Sequence, residues 1–352
     1  MTRVPRIGAP VIAVPGAGVP ITVERPGMLT TVQDAGRWGH HAAEVGPGGW
    51  MDDAAARVAN ALVGNAPTAP VLECTLLGPT LRFGGDALVA ITGMPMAPTL
   101  DGHPVPQERP LRVRAGSVLA LAGGATGCRA YLAVGGGIAV PSVLGSASTA
   151  LRSGFGGHAG RALRRDDVLA TGAPPPVVAS LLARHDVAPG PLPRVAPPAP
   201  FGVAAALTDA PIGVIDGDDT PVLAARDALH RAAWTVSVRS DRMGLRLDGP
   251  PLAHARPAGR ASEATTWGTI QLPPDGLPIV LGVDRQVTGG YPAIGHVAQV
   301  HRAALAQRRP GAALRFTPIT LAEAQRALRA RDTALADAMA DLARALHVVA
   351  HG

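Results

Sequence analysis

From Ile21 to Leu169 the chain runs in short apolar segments broken by turn residues: ITVERPG, ALVAITG, SVLALAGG and CRAYLAVGGG. Segments of that length, separated by Gly and Pro, predict a β-rich region with many tight turns. One helix interrupts it. In MDDAAARVANALVGN, Asp52 or Asp53 supplies an N-cap, Val58, Ala59, Leu62 and Val63 share a face, and Gly64-Asn65 ends the run. This helix is expected across the open end or edge of a sheet. The proline-rich run TGAPPPVVASLLARHDVAPGPLPRVAPPAPF reads as a semi-rigid linker. Short strands return after about Gly202 in IGVIDG, AWTVSVRS, GTIQLP and PIVLGVD. The period then changes. Thr320 and Glu323 form a capping box, and Leu321, Leu328, Leu335, Met339, Leu342 and Leu346 recur at helical spacing. They predict one terminal helix packed on the second barrel or on a partner.

The expected architecture is therefore mainly β with a few helices: an N-terminal extension over 1–20, a β-rich half over 21–170, a linker over 171–201, a second half over 202–318 and a helix over 319–349. No 20–50-residue period suggests a solenoid or propeller.

Composition changes this picture in one respect. The chain has 352 residues, a formal charge of +6 and only 3% aromatic residues. Its arginines are spread along the chain, and a single-strand nucleic-acid binder needs aromatic stacking faces along its basic groove, so nucleic acid is not an expected partner. Gly and Pro break every apolar run well short of the roughly 18 residues of a membrane helix, so no membrane is expected and the chain reads as cytoplasmic. Cys74 and Cys128 have neither metal nor disulfide-framework spacing. There is no lysine anywhere in the sequence. A Walker-type phosphate lysine, a Schiff base and covalent biotin on this chain are thereby excluded. Arginine instead offers a planar fork suited to carboxylate and phosphate.

Polar residues gather in five places. TTVQDAGRWGHH sets Asp34 and Arg37 around Gly36, either as a turn pair or pointing into a shared cleft. Asn60 lies on the helix, and Glu73 lies inside an apolar segment, where it is either a candidate acid or base or a partner of Arg82 across a hairpin. Ser146, Ser148 and Thr149 precede a glycine-rich run and Arg161, a loop able to present N–H and hydroxyl groups to an anion. Ser240, Asp241, Arg242 and Arg246 cluster in SVRSDRMGLRLDGP. The last cluster, in PIVLGVDRQVTGGYPAIGHV, sets Asp284, Arg285 and Gln286 beside Gly289-Gly290-Tyr291. Charges beside such apolar flanks must be paired, solvated or used. His254, His296 and His301 read as structural.

The blocks TVQDAGRWGH, VLECTLLGPTLRF, RAYLAVGGGIAVPSVLGSAST, GGHAGRAL, SDRMGLRLDGPPL and GTIQLPPDGLPIVLGVDRQVTGGYPAIGHV, in this order, resemble the biotin-dependent carboxyltransferase subdomain A/B family. The resemblance implies two cyclophilin-like β-barrel halves. It also implies a separate partner that supplies subdomains C and D, and a further partner; in the 5-oxoprolinase complex these use ATP to open the lactam of 5-oxo-L-proline to L-glutamate. ATP is then bound with or by a partner. Asp284, Glu73 and Asp34 become candidate catalytic groups. Arg285, Gln286, Thr288, Tyr291, Arg37, Asn60, Ser146, Ser148, Thr149, Arg161, Ser240 and Arg242 become candidate substrate contacts. Two alternatives stand beside this one: a regulatory protein that antagonises a kinase inhibitor, and carboxyl transfer to urea or a related amide from biotin on a separate carrier. The chain departs from the family pattern at Pro95, Ala147, Val287 and Ala293, which implies altered substrate preference or an inactive paralogue.

Overall fold

The computed structural model describes residues 18–184, 186, 188–192, 196–197, 210–224, 227–254 and 261–351. The N-terminal extension lies outside them, apart from its last three residues, as does part of the proline-rich segment. The fold is mainly β in two halves, with a long C-terminal helix.

In the first half a seven-stranded and a six-stranded sheet face each other. Ile21, Val23, Leu81 and Phe83 of one meet Leu72, Cys74, Val89 and Leu132 of the other in a closed apolar core. The six-stranded sheet is apolar on both faces because its strands do not alternate apolar with polar. Along Val71–Thr75 and Arg129–Val134, Leu72, Cys74, Ala130 and Leu132 point inward, while Val71, Tyr131 and Ala133 point outward. That outer face needs a cover. The helix Asp53–Leu62 lies flat on it, burying Ala55, Ala59 and Leu62 against Leu88, Ala90 and Tyr131, rather than crossing an open end or edge as expected. Asp52 is its N-cap, accepting from the Ala55 amide at 3.0 Å.

The second half is built on an eight-stranded sheet that curls until it nearly closes, with a two-stranded ribbon of Glu263–Ala264 and Thr288–Gly289 beside it. Its edge strands are consecutive in sequence. Ala313–Leu314 pairs antiparallel with Trp234–Val236, and after Arg315 the strand Phe316–Pro318 pairs parallel with Ile212–Asp216. Trp234, Ile270, Val280 and Phe316 fill the interior.

The C-terminal helix Leu321–His351 begins at the expected box, with the Thr320 hydroxyl and amide both donating to Glu323 and the Glu323 amide donating back to Thr320. Its packing differs from expectation. Leu335, Leu342, Leu346 and Ala350 cover the helix Asp53–Leu62 and a short helix Pro176–Ala183, so its main seat is the first half. The segment read as a linker thus contributes a helix whose Val178 and Leu181 join the same cluster.

The halves are keyed together by single side chains. Met51 leaves the first half to sit in the core of the second. Gln307 returns the contact: its Oε1 accepts from the Cys128 and Arg129 amides at 3.1 and 3.0 Å, and its Nε2 donates to Asp52 Oδ2 at 2.8 Å.

Candidate active site

At the junction of the halves lies a cleft of about 250 Å³, lined by Arg37, Gly48, Phe155, Asp284, Arg285 and Gln286 among others, with Thr288 at its edge. Three loops of the first half and one of the second build it.

Asp34 organises the first wall. Its Oδ1 accepts from the Gly36 amide at 2.8 Å and from the Ser146 and Ser148 hydroxyls at 2.5 and 2.6 Å, and its Oδ2 accepts from the Ala147 amide at 2.6 Å. Four donors saturate the carboxylate. It holds the loop over 146–148 against the turn over 34–37 and does not join the cleft lining. Thr149 is consumed likewise, its hydroxyl donating to the Val32 carbonyl at 2.9 Å.

Arg37 is only 1% exposed yet faces the cleft. Its Nη2 donates to the Ser148 carbonyl and its guanidinium lies 4.8 Å from the centre of the Phe155 ring. Its Nη1 is buried without a hydrogen-bond partner among the described residues. Burial lowers its pKa, against the opposing pull of Asp34 and Asp284. The neighbouring backbone leaves room for a ligand: Gly48 has φ +61°, and a Cβ there would stand 3.3 Å from Arg37 Nη1 and 3.7 Å from Asp284 Oδ1.

From the second barrel come Asp284, Arg285 and Gln286, on the turn after Ile279–Leu281. Arg285 is 6% exposed; its Nε donates to the Thr265 carbonyl at 3.3 Å, and no carboxylate pairs with it among the described residues. Burial alone brings its pKa down to about 10. Gln286 donates to Gln271 Oε1 at 3.3 Å. Asp284 is bound on both oxygens by Arg242, from Nε at 2.8 Å and Nη2 at 3.1 Å. Arg242 also donates to the Gly49 carbonyl at 2.7 Å and, through Nη1, to Glu73. Burial opposes its charge, but Asp284 and Glu73 outweigh that and hold its pKa above the ordinary value.

Of the sequence candidates, then, Arg37, Asp284, Arg285, Gln286 and Thr288 share one cleft. Glu73 sits behind it, 1% exposed, with Arg242 rather than Arg82 as its partner; Arg82 pairs with Glu24. Asn60 fixes the chain after its helix, donating to the Ala69 carbonyl at 2.9 Å. Arg161 pairs with Asp167, Ser240 closes a turn onto the Arg246 amide, and Tyr291 is 47% exposed on a separate depression with Arg239 and Arg246. Sequence reasoning missed Phe155 and Gly48 as cleft residues, and Gln307 as a key between the halves. The glycine-rich text around the first two is a signal of close approach, whereas nothing local marks Gln307.

A family model for the carboxyltransferase domain, subdomain A and B, matches residues 44–318. The chain belongs to this family. As a carboxyltransferase A/B chain it is similar to a 5-oxoprolinase subunit of Haemophilus influenzae, with 35% identity over 301 residues, 85% of this chain and 91% of that protein. The 5-oxoprolinase subunit of the same name in Escherichia coli is 37% identical over 309 residues, 87% of this chain and 94% of that one. Among solved structures, the urea amidolyase of K. lactis matches with a TM-score of 0.79 at 29% identity over 92% of this chain. The carboxyltransferase A/B chain corresponds to only 20% of that larger polypeptide.

Proposed function

We propose that this chain is the subunit that receives the substrate in an ATP-dependent 5-oxoprolinase complex, which hydrolyses 5-oxo-L-proline to L-glutamate. The observation that carries the reading is the charge balance of the cleft. Of its two lining carboxylates, Asp284 is already bound to Arg242 and Glu44 is exposed, while the buried Arg37 and Arg285, with the exposed Arg152, give three guanidinium groups, and neither buried one is ion-paired among the described residues. The surplus suits a ligand that brings its own anion, such as the carboxylate of a lactam acid, since an anion there restores hydrogen bonds that burial has withheld. The relatives of matching length are named for 5-oxoprolinase.

A space of about 250 Å³ is smaller than the ~300–1,000 Å³ of sites for drug-sized ligands, and it fits a five-membered ring acid rather than a nucleotide. We assign nucleotide binding to the partner subunits, one of them with subdomains C and D, and with it the activation of the amide oxygen. On this chain, Arg37 and Arg285 hold the substrate carboxylate. Asp284, its lone pairs fixed by Arg242, orients the attacking water. Hydrolysis breaks the lactam C–N bond, and the ring nitrogen leaves as the amine of glutamate.

The likeness to urea amidolyase favours a second reading, carboxyl transfer from biotin on a separate carrier. The carboxylate carried by carboxybiotin could also meet the guanidinium groups, so this reading ranks second on the relatives alone: those of matching length are named for 5-oxoprolinase, whereas the urea amidolyase is a far longer polypeptide. The test is 5-oxoproline-dependent glutamate release by the chain coexpressed with its partner subunits. Arg285→Ala should raise KM by about 10- to 100-fold, as expected for one charged hydrogen bond. Glutamate release that is the same with this chain omitted sinks the proposal, and copurification with a biotinylated protein supports the second reading.

A further inference from the structure

The cleft carboxylate is held from the far half of the molecule. Glu73 stands on the strand Val71–Thr75 of the first half, and Arg242 and Asp284 stand on adjoining turns of the second barrel. The backbones of those turns are already tied, with the Asp284 amide on the Arg242 carbonyl at 3.1 Å and the Gly282 amide on the Met243 carbonyl at 2.7 Å. What is left free is the direction of the Asp284 side chain, and its hydrogen-bonding partner among the described residues is Arg242. Besides Asp284, Arg242 has the Gly49 carbonyl at 2.7 Å on Nη2, the nitrogen it also gives to Asp284; a second carboxylate on Nη1 pulls the guanidinium from the opposite side and removes the rotamer freedom that those bonds leave.

Glu73 is built to be that second carboxylate. Its Oε2 accepts from the Tyr131 hydroxyl at 2.8 Å and the Met51 amide at 2.9 Å, and its Oε1 takes Arg242 Nη1. Tyr131 is itself fixed by the Asp52 amide at 2.8 Å. The Arg129 Nε stands 3.8 Å from Glu73, so two carboxylates and two arginines balance in the buried cluster. Glu73 has no opening to the cleft and cannot touch a ligand there.

We propose that Glu73 is a positioning residue: acting through Arg242 across the junction, it sets the direction of Asp284 in the cleft, so that the site is complete only when the two halves are docked. The activity part of the test rests on the oxoprolinase reading; the structural part does not.

The test uses the full chain with Glu73→Gln, which keeps size and an acceptor but removes the charge, and Glu73→Asp, which keeps the charge but shortens the reach. Because the turn backbones stay tied, the readout is the Asp284 side chain: NMR three-bond couplings to its carboxyl carbon should move from a single-rotamer value to an averaged one in both variants. Couplings that keep the single-rotamer value in both variants overturn the proposal. In the assembled complex, kcat should fall about tenfold with KM for 5-oxoproline unchanged, because Arg37 and Arg285 are untouched; a rise in KM at constant kcat overturns it as well. A wild-type complex without 5-oxoproline turnover removes the oxoprolinase reading and leaves the Asp284 side-chain couplings to decide the role of Glu73.

Discussion

Arg242→Met removes the one charge that Glu73 and Asp284 share. Methionine approximates the stem but gives neither carboxylate a donor. The two losses differ. Asp284 borders the cleft and can rehydrate, so its share is small. Glu73 is sealed between the sheet and the loop before the first helix; it keeps Tyr131 and the Met51 amide, with Arg129 at 3.8 Å as its remaining cation. Removing one partner of a buried ion pair costs about 3–5 kcal/mol, and Arg129 places this case near the lower end, about 3 kcal/mol. Urea denaturation followed by tryptophan fluorescence reads it, since Trp50 packs beside the loop and Trp234 lies in the second core. Adding Glu73→Gln to Arg242→Met should recover most of the loss, because a neutral amide no longer demands a cation. A cost below about 1 kcal/mol, or no recovery in the double variant, would refute the account of Arg242 as the counter-charge of Glu73.

Other outcomes follow from the same structure. Burial raises the Asp52 carboxyl from its usual 3.8 to about 6, against the hydrogen bond from Gln307, so the folded state binds its proton more tightly than the unfolded chain. The stability it lends is present below pH 3.8 and is lost as pH rises through 6, about 3 kcal/mol over that window; the difference in unfolding free energy between wild type and Asp52→Asn, followed from pH 4 to 7, should show that slope, and a flat difference contradicts it. Gly48→Ala forces a side chain onto a backbone at φ +61° and places its Cβ against Arg37 Nη1, so it should cost about 1–2 kcal/mol of stability and weaken 5-oxoproline binding to the complex by calorimetry. Leu342→Ala opens the seat of the C-terminal helix and should cost about 2–5 kcal/mol in thermal or urea unfolding, whereas Leu321→Ala, at a position 59% exposed, should cost little.

The sequence by itself determined the elements whose causes are local. The rhythm of short apolar segments produces strands, the Thr320–Glu323 box starts the last helix where it was expected, and the missing lysine leaves all permanent side-chain cations as arginines. Those features follow from backbone periodicity and side-chain chemistry within a few residues. Tertiary structure decided which charges meet. Glu73 is 169 positions from Arg242, and Arg242 is 42 from Asp284, so no window of sequence holds the triad. The same text shows Asp34 beside Arg37, yet folding turns the carboxylate onto a serine loop and sends the guanidinium into the cleft. It likewise shows Tyr291 beside Arg285, yet the turn between them sends the tyrosine to a different surface. The outer face of the six-stranded sheet, apolar where alternation would have made it polar, drew the helices onto the first half and buried Glu73 beneath them. A buried charge must find its partner wherever the chain brings one, and that is settled by how the two halves close on each other.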